Sequence, residues 1–262
     1  MQMLSATERA ADAAIDLALS LLGEGETGER VYKTDRDFAT ATDFAIEDAV
    51  RELLARETPD VGFLGEERGH TGDREQYWCL DPIDGTTNFS RGLPNYGVSL
   101  ALIEDGIPVF GTIALPAHGE RYVTRDGVAL LNGKSIRVAA TSGLAEAIVS
   151  VGDFATGPNS AEKNERRLGM IEQMAQSVGR VRMLGSAATD LAWLAAGRVD
   201  AVVIDANRSW DVAAGIALAR SAGGVISHID GAPYTLDGGD LLVTISEVHD
   251  SMIATLAAIK TG

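Results

Sequence analysis

Trp78-Cys79-Leu80-Asp81-Pro82-Ile83-Asp84-Gly85-Thr86-Thr87-Asn88-Phe89 is the stretch around which the chain is organised. Its apolar lead, residues 77–80, predicts a short buried strand that stops at Asp81-Pro82, because proline removes a backbone donor and cannot continue a central ladder. Such a strand delivers Asp81 to its end. Asp84, Gly85 and two threonines follow at once, so two carboxylates, a permissive backbone and two hydroxyls lie close together. That is chemistry for a divalent cation and a phosphate. Two carboxylates ~4 Å apart repel by roughly 4 kcal/mol at an effective dielectric near 20, and partial burial worsens this. A cation offsets the repulsion, and oxygen donors without histidine or thiol favour Mg²⁺, Mn²⁺ or Ca²⁺ over zinc. Spacing alone also allows ordinary turn residues, since Asp, Pro and Gly dominate turns for local reasons.

Upstream, Ser5-Ala6-Thr7-Glu8 has capping-box form, and Ala10, Ala14, Leu17 and Leu21 recur at helical spacing, which predicts a helix over 7–22 ended by Gly23. Residues 24–37 are polar, carry Gly25 and Gly28, and read as a mobile connection. Thr40-Ala41-Thr42-Asp43 opens a second helix with an apolar stripe of Ile46, Val50, Leu53 and Leu54; Asp43 in its first turn complements the helix dipole. Residues 61–64 are a strand candidate followed by Gly65-Glu66-Glu67. Downstream, residues 96–103 and 107–115 flank Glu104-Asp105-Gly106, a hairpin signal, and 121–124 and 128–131 flank Asp126-Gly127, before a further turn at Asn132-Gly133.

From about residue 139 the pattern changes to alternation: strands over 147–151, 180–184 and 199–204, helices over 161–177, 187–196 and 211–221. The fold class is therefore α/β, an α+β N-terminal half (1–138) carrying the metal-like signature and a layered α/β C-terminal half (139–262) completing the site. Two junctions could meet a ligand. Gly185-Ser186-Ala187-Ala188 enters a helix N-terminus, where backbone N–H groups and the dipole attract an anion, although Ser186 is equally suited to cap it. Trp210-Asp211 likewise begins a helix.

The chain has 262 residues, enough for a sizeable core in one large domain or two small ones. No apolar run is long enough to cross a bilayer, and residues 1–10 lack the basic-then-apolar order of a signal peptide, so a soluble cytoplasmic protein is expected. The single cysteine, Cys79, excludes an intramolecular disulfide and reads as a small buried hydrophobe. His70, His118, His228 and His249 show no ligand-like spacing. A net charge of −16 argues against nucleic acid or an anionic membrane as partner, so a phosphorylated substrate must be attracted by bound cations. The acidic balance is also compatible with a salt-adapted source.

Asp81 to Phe89 resembles the signature of the inositol monophosphatase family of Mg²⁺-dependent, Li⁺-sensitive sugar-phosphate phosphatases. Gly65-Glu66-Glu67 is similar to that family's acidic pair, and Trp210-Asp211-Val212-Ala213-Ala214-Gly215 followed by Ala222-Gly223-Gly224 to its C-terminal signature. The resemblance implies a sugar-phosphatase-like α-β-α-β-α sandwich and hydrolysis of a small phosphate monoester, inositol monophosphate or a similar polyol phosphate, by direct attack of water without a phosphoenzyme. It implies Mg²⁺, two or three ions with Mn²⁺ possible: one held by Glu66, Asp81 and the carbonyl of Ile83, another by Asp81, Asp84 and Asp211. Glu66, Thr86 and Asp43 become catalytic, Asp43 bonding Thr86 so that the pair activates water. Asp84, Gly85, Thr86, Thr87, Gly185, Ser186, Ala187 and Asp211 become substrate contacts, Glu67 stays outside them, and a homodimer is expected, with Tyr96 or Trp193 at its surface or in the core. One departure stands out. Inositol-preferring members carry a glutamate seven residues before the Trp-Asp aspartate, where this chain has Ile204, which accepts no hydroxyl. Asp205, Arg182 and Arg208 are the polar residues available to rebuild that wall. Histidinol phosphate, fructose 1,6-bisphosphate and 3′-phosphoadenosine compounds remain alternative substrates, the lack of a dense basic cluster favouring a monophosphate. A regulatory binding protein on the same fold is the alternative of a different class.

Overall fold

The structure, a computed structural model, describes residues 5–24, 30–33, 38–236 and 238–258. Helix α1 (Ala6–Glu24) forms at the expected capping box, Ser5 N–H donating to Glu8 and Glu8 N–H to Ser5 Oγ. Of the expected connection over 24–37, residues 25–29 and 34–37 lie outside the described residues. Arg30–Tyr32 between them is not loop but strand β1, paired antiparallel with β2 (Phe38–Thr40). Then come α2 (Ala41–Glu57), β3 (Gly62–Gly65), β4 (Gly69–Thr71), β5 (Gln76–Asp84), α3 (Thr86–Arg91), β6 (Gly97–Glu104), β7 (Ile107–Leu115), β8 (Glu120–Arg125), β9 (Val128–Leu131) and β10 (Lys134–Ser135). The remainder is β11 (Ile148–Val151), α4 (Ser160–Ser177), β12 (Arg180–Arg182), α5 (Ala187–Ala195), β13 (Ala201–Asn207), α6 (Ser209–Ser221), β14 (Val225–Ser227), β15 (Gly239–Thr244) and α7 (His249–Ala257). The sequence reading did not anticipate β2, β4, α3, β10, β14, β15 or α7.

An eight-stranded sheet, β10-β9-β8-β7-β6-β5-β3-β4, is antiparallel except where β3 and β5 run parallel. The β6–β7 turn places Asp105 and Gly106 at φ 49° and 75°, the left-handed pair that a two-residue hairpin demands. The second sheet, β12-β11-β13-β15-β14, is parallel among β12, β11 and β13 and antiparallel beyond.

The layers follow from which apolar face each helix buries. Ala10, Ile15, Ile46 and Val50 of α1 and α2 pack with Leu80, Val98 and Leu100 on one face of the large sheet. On its other face Cys79, Ala101 and Ile113 meet Ala188, Ala192, Ala213 and Ala214 of α5 and α6. These small residues permit close approach: a Cβ on Gly111 would lie 2.4 Å from the Ala214 carbonyl oxygen. The same two helices turn Leu191, Val212 and Ile216 to the second sheet, against Val202, Ile204 and Leu241. Met170 and Met174 of α4 and Met252 of α7 cover its far face. The order is helix, sheet, helix, sheet, helix, the sandwich expected.

Strand β5 departs from expectation in a useful way. It does not stop at Pro82 but runs to Asp84, with a register irregularity between the Asp81–Ser99 and Asp84–Gly97 pairs. Its other neighbour, β3, has its last partner at Leu80. Proline therefore falls where one side of the ladder has ended and the other is bulged, so its missing N–H costs no bond.

Candidate active site

In a regular strand residues three apart face opposite sides. The irregularity in β5 re-aims the chain so that Asp81 and Asp84, both buried, act on each other. Gly85 then takes a left-handed turn at φ 82°. A Cβ there would lie 2.9 Å from the Asn95 carbonyl oxygen and 3.1 Å from that of Gly185. The turn starts α3, whose first turn leaves the Thr86 and Thr87 N–H groups without helical acceptors. Asn88, which the sequence reading did not single out, ties this helix to the second half: its amide donates to the carbonyls of Asn95 (2.6 Å) and Leu184 (2.8 Å).

Asp43 lies fully buried in the first turn of α2, its Oδ2 accepting from Thr40 N–H at 2.8 Å and Thr40 Oγ1 at 2.5 Å. Its Oδ1 is 3.4 Å from Thr86 Oγ1, whose shorter bond, 3.0 Å, goes to the carbonyl of Ile83. One hydroxyl hydrogen thus has two acceptors within a rotation. Burial, opposed by the Thr40 bonds and reinforced by Glu66, raises the Asp43 carboxyl above its ordinary range.

Glu66 follows β3, and its N–H extends the β3–β5 pairing to Leu80 O. The turn it begins is fixed from beneath by Glu47, a completely buried α2 carboxylate that accepts from the N–H groups of Glu67 (2.7 Å) and Arg68 (2.9 Å) and from Arg51 (2.7 Å). Sequence reading missed Glu47; its spacing to Arg51 marks only an ordinary i,i+4 helix pair. Lys33 was missed too, and bonds Glu66 and Glu67 at 2.7 and 2.6 Å. Burial alone would lower the Lys33 ammonium's pKa, but the pull of Glu66, with Glu67, raises it on balance. Burial drives the Glu67 carboxyl up to about 7.

The N-terminus of α5 holds an anion, and that anion is Asp84. Ala187 N–H (3.2 Å) and Ala188 N–H (3.0 Å) donate to its carboxylate, as does Ser186 Oγ. Ser186 simultaneously caps the helix, accepting from Thr189 N–H at 3.1 Å. This corrects the expectation of N–H groups there open to a ligand: those of Ala187 and Ala188 are already engaged. Asp211 behaves alike at the third position of α6, accepting from Arg208 N–H at 2.7 Å. Burial pushes Asp84 up to about 6 and Asp211 up to about 7, the helix bonds and, for Asp211, Arg208 acting against it. The polar wall expected around Ile204 is not rebuilt by Asp205, whose carboxylate is bonded by Arg166 (3.0 Å) and Arg167 (3.3 Å). Arg182 is exposed and donates to the neighbouring Val181 carbonyl.

Asp81 is the centre of this cluster. Burial first, then Glu66, Asp84, Asp211 and Asp43 raise its carboxyl well above the ordinary value. Its Oδ1 is buried and has no hydrogen-bond partner among the described residues. An orphaned carboxylate oxygen among four other carboxylates fits a hard cation, since a buried unpaired charge is otherwise costly. The convergence is not complete: among the described residues no three acidic, histidine or cysteine side chains already close on one point at ligating distance.

The inositol monophosphatase family profile matches residues 1–261. The chain is 37% identical over 225 residues to the inositol-1-monophosphatase ImpA of Mycolicibacterium smegmatis, covering 85% of this chain and 81% of that one. It is 36% identical to the Nus factor SuhB of Xylella fastidiosa, covering 86% and 81%. Among solved structures, the extragenic suppressor protein suhB of Bartonella henselae superposes with a TM-score of 0.89 at 29% identity, covering 97% and 99%.

Proposed function

Since the chain belongs to the inositol monophosphatase family, we propose that it hydrolyses a small phosphorylated polyol or sugar with the help of Mg²⁺, for which Mn²⁺ can substitute at oxygen donors. The observation that carries the reading is Asp81, buried, with one oxygen unpartnered and four carboxylates acting on it. Glu66, Asp81 and the Ile83 carbonyl would hold one ion, and Asp81, Asp84 and Asp211 a second, a third being compatible with the remaining acidic groups. Bound there, such ions neutralise the cluster, acidify water and stabilise the leaving oxygen.

The chain's own residues do the rest. Thr86 Oγ1 accepts a hydrogen bond from the attacking water and turns its own hydrogen to Asp43 Oδ1, 3.4 Å away. Burial makes Asp43 a stronger base than a solvated aspartate, which suits proton acceptance. Glu66 orients the same water. Backbone N–H groups at Gly85, Thr86 and Thr87 grip phosphate oxygens, and Asp84, Gly185, Ser186, Ala187 and Asp211 border the alcohol being released. Because Ser186, Ala187 and Ala188 already bond Asp84, Gly185 to Ala187 act largely through that carboxylate. The unit boundary at 138/139 is part of this reading, supported by the large sheet ending at Ser135 and the second beginning at Ile148. So are a cytoplasmic homodimer and sensitivity to Li⁺. Among the described residues no helix is long and apolar enough to cross a membrane.

The test is phosphate release from a panel of sugar and polyol phosphates with Mg²⁺ titrated in the presence and absence of Li⁺. Release that needs the cation and falls with Li⁺ is expected. A second reading, a regulatory protein acting through its surface, is favoured by the relative described as a Nus factor. No release from any compound while the cation is bound would overturn the phosphatase reading and promote this one.

A further inference from the structure

Ile204 lies near the end of β13, and its side chain is buried with Leu191, Val212 and Ile216 beneath α5 and α6. Nothing at that position can accept a hydrogen bond from a substrate hydroxyl. The neighbouring strand ends beside it. β11 pairs in parallel with β13 through Val151 and Val203, and Gly152 N–H continues the ladder to Val203 O at 2.9 Å. A Cβ on Gly152 would meet Ile204 Cγ2 at 3.5 Å. The next residue is Asp153.

The backbone of Asp153 is held in place by Arg167, whose guanidinium donates to the carbonyls of both Asp153 and Asp205 and, at 3.3 Å, to the Asp205 carboxylate. That one side chain pins two strand ends together and consumes Asp205. The carboxylate of Asp153 is left with no hydrogen-bond donor among the described residues, and the residue is exposed. Its Oδ2 lies 3.3 Å from the point where a side chain on Gly185 would begin. Gly185 precedes the cap that grips Asp84, and Asp153 is near enough to the buried Asp190 of α5 to act on it electrostatically. A pinned carboxylate with open lone pairs therefore stands at the rim that Asp84 and Gly185 define, one strand over from an apolar residue.

We propose that Asp153 is a specificity-determining residue: from the end of β11 it accepts the substrate hydroxyl bond that Ile204 on β13 cannot, which selects phosphate monoesters of hydroxyl-bearing alcohols. The inference rests on the phosphatase reading above and extends it to the alcohol half of the substrate. It also explains why loss of an acceptor at position 204 need not mean loss of polyol recognition.

The test uses Asp153→Ala in the full chain, with Asp153→Asn as the conservative variant. The measured quantity is kcat/KM for inositol 1-phosphate relative to p-nitrophenyl phosphate, whose alcohol carries no further hydroxyl. Losing a hydrogen bond to a charged acceptor lowers that ratio at least ~10-fold in Asp153→Ala, and less in Asp153→Asn. A ratio within about twofold of wild type, or one that rises, overturns the proposal. Should wild type turn over neither ester, the phosphatase reading fails by itself. Calorimetric titration with inositol 1-phosphate and with inorganic phosphate then decides: their affinity ratio falls by the same factor in the alanine variant, and an unchanged ratio, or no binding by wild type, overturns the inference.

Discussion

Asp211→Asn separates the charge of the cluster from its scaffolding. Asparagine can keep the bond from Arg208 N–H by presenting its amide oxygen where Oδ2 lies, so α6 retains its first-turn contact. What disappears is a carboxyl that burial and the carboxylates of Asp84 and Glu66 hold at about 7 against an ordinary 3.8. Between those values the folded chain binds more protons than the unfolded one, so stability contributed by this group is fully present below the ordinary value and is lost as pH rises through about 7. The interval corresponds to about 4 kcal/mol. Partial exposure and relaxation reduce it to about half. In chelator at pH 8, Asp211→Asn is therefore more stable than wild type by about 2 kcal/mol, roughly 4–8 °C in Tm for a chain of this size. At pH 5 only about a third of that difference remains.

Adding Mg²⁺ reverses the order. At a concentration ~100-fold above Kd the wild type gains about 2.7 kcal/mol by mass action, whereas the variant, short of one donor, gains less and does not turn over substrate. The assay is thermal unfolding at pH 5 and 8, in chelator and in saturating Mg²⁺, beside phosphate release. A variant no more stable than wild type in chelator at pH 8, or one with the wild-type pH slope, would refute the reasoning, because burial and the neighbouring carboxylates would then not be raising this carboxyl.

Two further substitutions address the scaffolding. Ser186→Ala removes a helix cap worth ~1 kcal/mol and a charge-assisted bond to Asp84 worth ~1.5–3 kcal/mol; urea denaturation gives a loss of about 2–4 kcal/mol, and an unchanged midpoint contradicts the geometry. Gly65→Ala places a Cβ 2.2–2.4 Å from the carboxyl atoms of Glu47, forcing that side chain off the N–H groups of Glu67 and Arg68; a loss of about 1–3 kcal/mol accompanies a fall in kcat as Glu66 shifts, and wild-type kcat would show that Glu47 does not set the Glu66 turn.

The elements that carry strong local signals were legible in the sequence. The capping box at Ser5, the helix opening at residues 40–43, the Asp-Gly turns and the 3.6-residue stripes gave α1, the start of α2 and the hairpins to within a residue or two, since each depends on neighbours along the chain. What could not be read depends on neighbours across space. Pro82 reads as a strand terminator, and is tolerated only because β3 has ended beside it. Glu47 looks like half of a surface ion pair until Gly65 leaves room for it beneath the Glu66 turn. The N-terminus of α5 reads as an anion site, correctly, yet the anion comes from a strand of the other half, a pairing between residues 84 and 188 that no local rule specifies. Helix α3 is hidden for the opposite reason: its six residues are too few for a periodic pattern.

Asp43, Asp84 and Asp211 share a device that explains how a chain of net charge −16 concentrates carboxylates in its interior. Each accepts backbone N–H groups at the start of a helix: Asp43 from Thr40 at α2, Asp84 from Ala187 and Ala188 at α5, Asp211 from Arg208 at α6. A helix N-terminus favours a negative charge by ~0.3–1 kcal/mol, and up to ~2 kcal/mol when partly buried. Three such termini, with the hydroxyl of Ser186, offset part of the repulsion, while the lysine that reaches the cluster, Lys33, bonds Glu66 and Glu67. Asp81 alone sits mid-strand with no helix behind it, and it is Asp81 whose Oδ1 lacks a donor. The helix termini hold the periphery of the cluster fixed and leave its centre uncompensated, so the electrostatic demand for a counter-charge is greatest at Asp81.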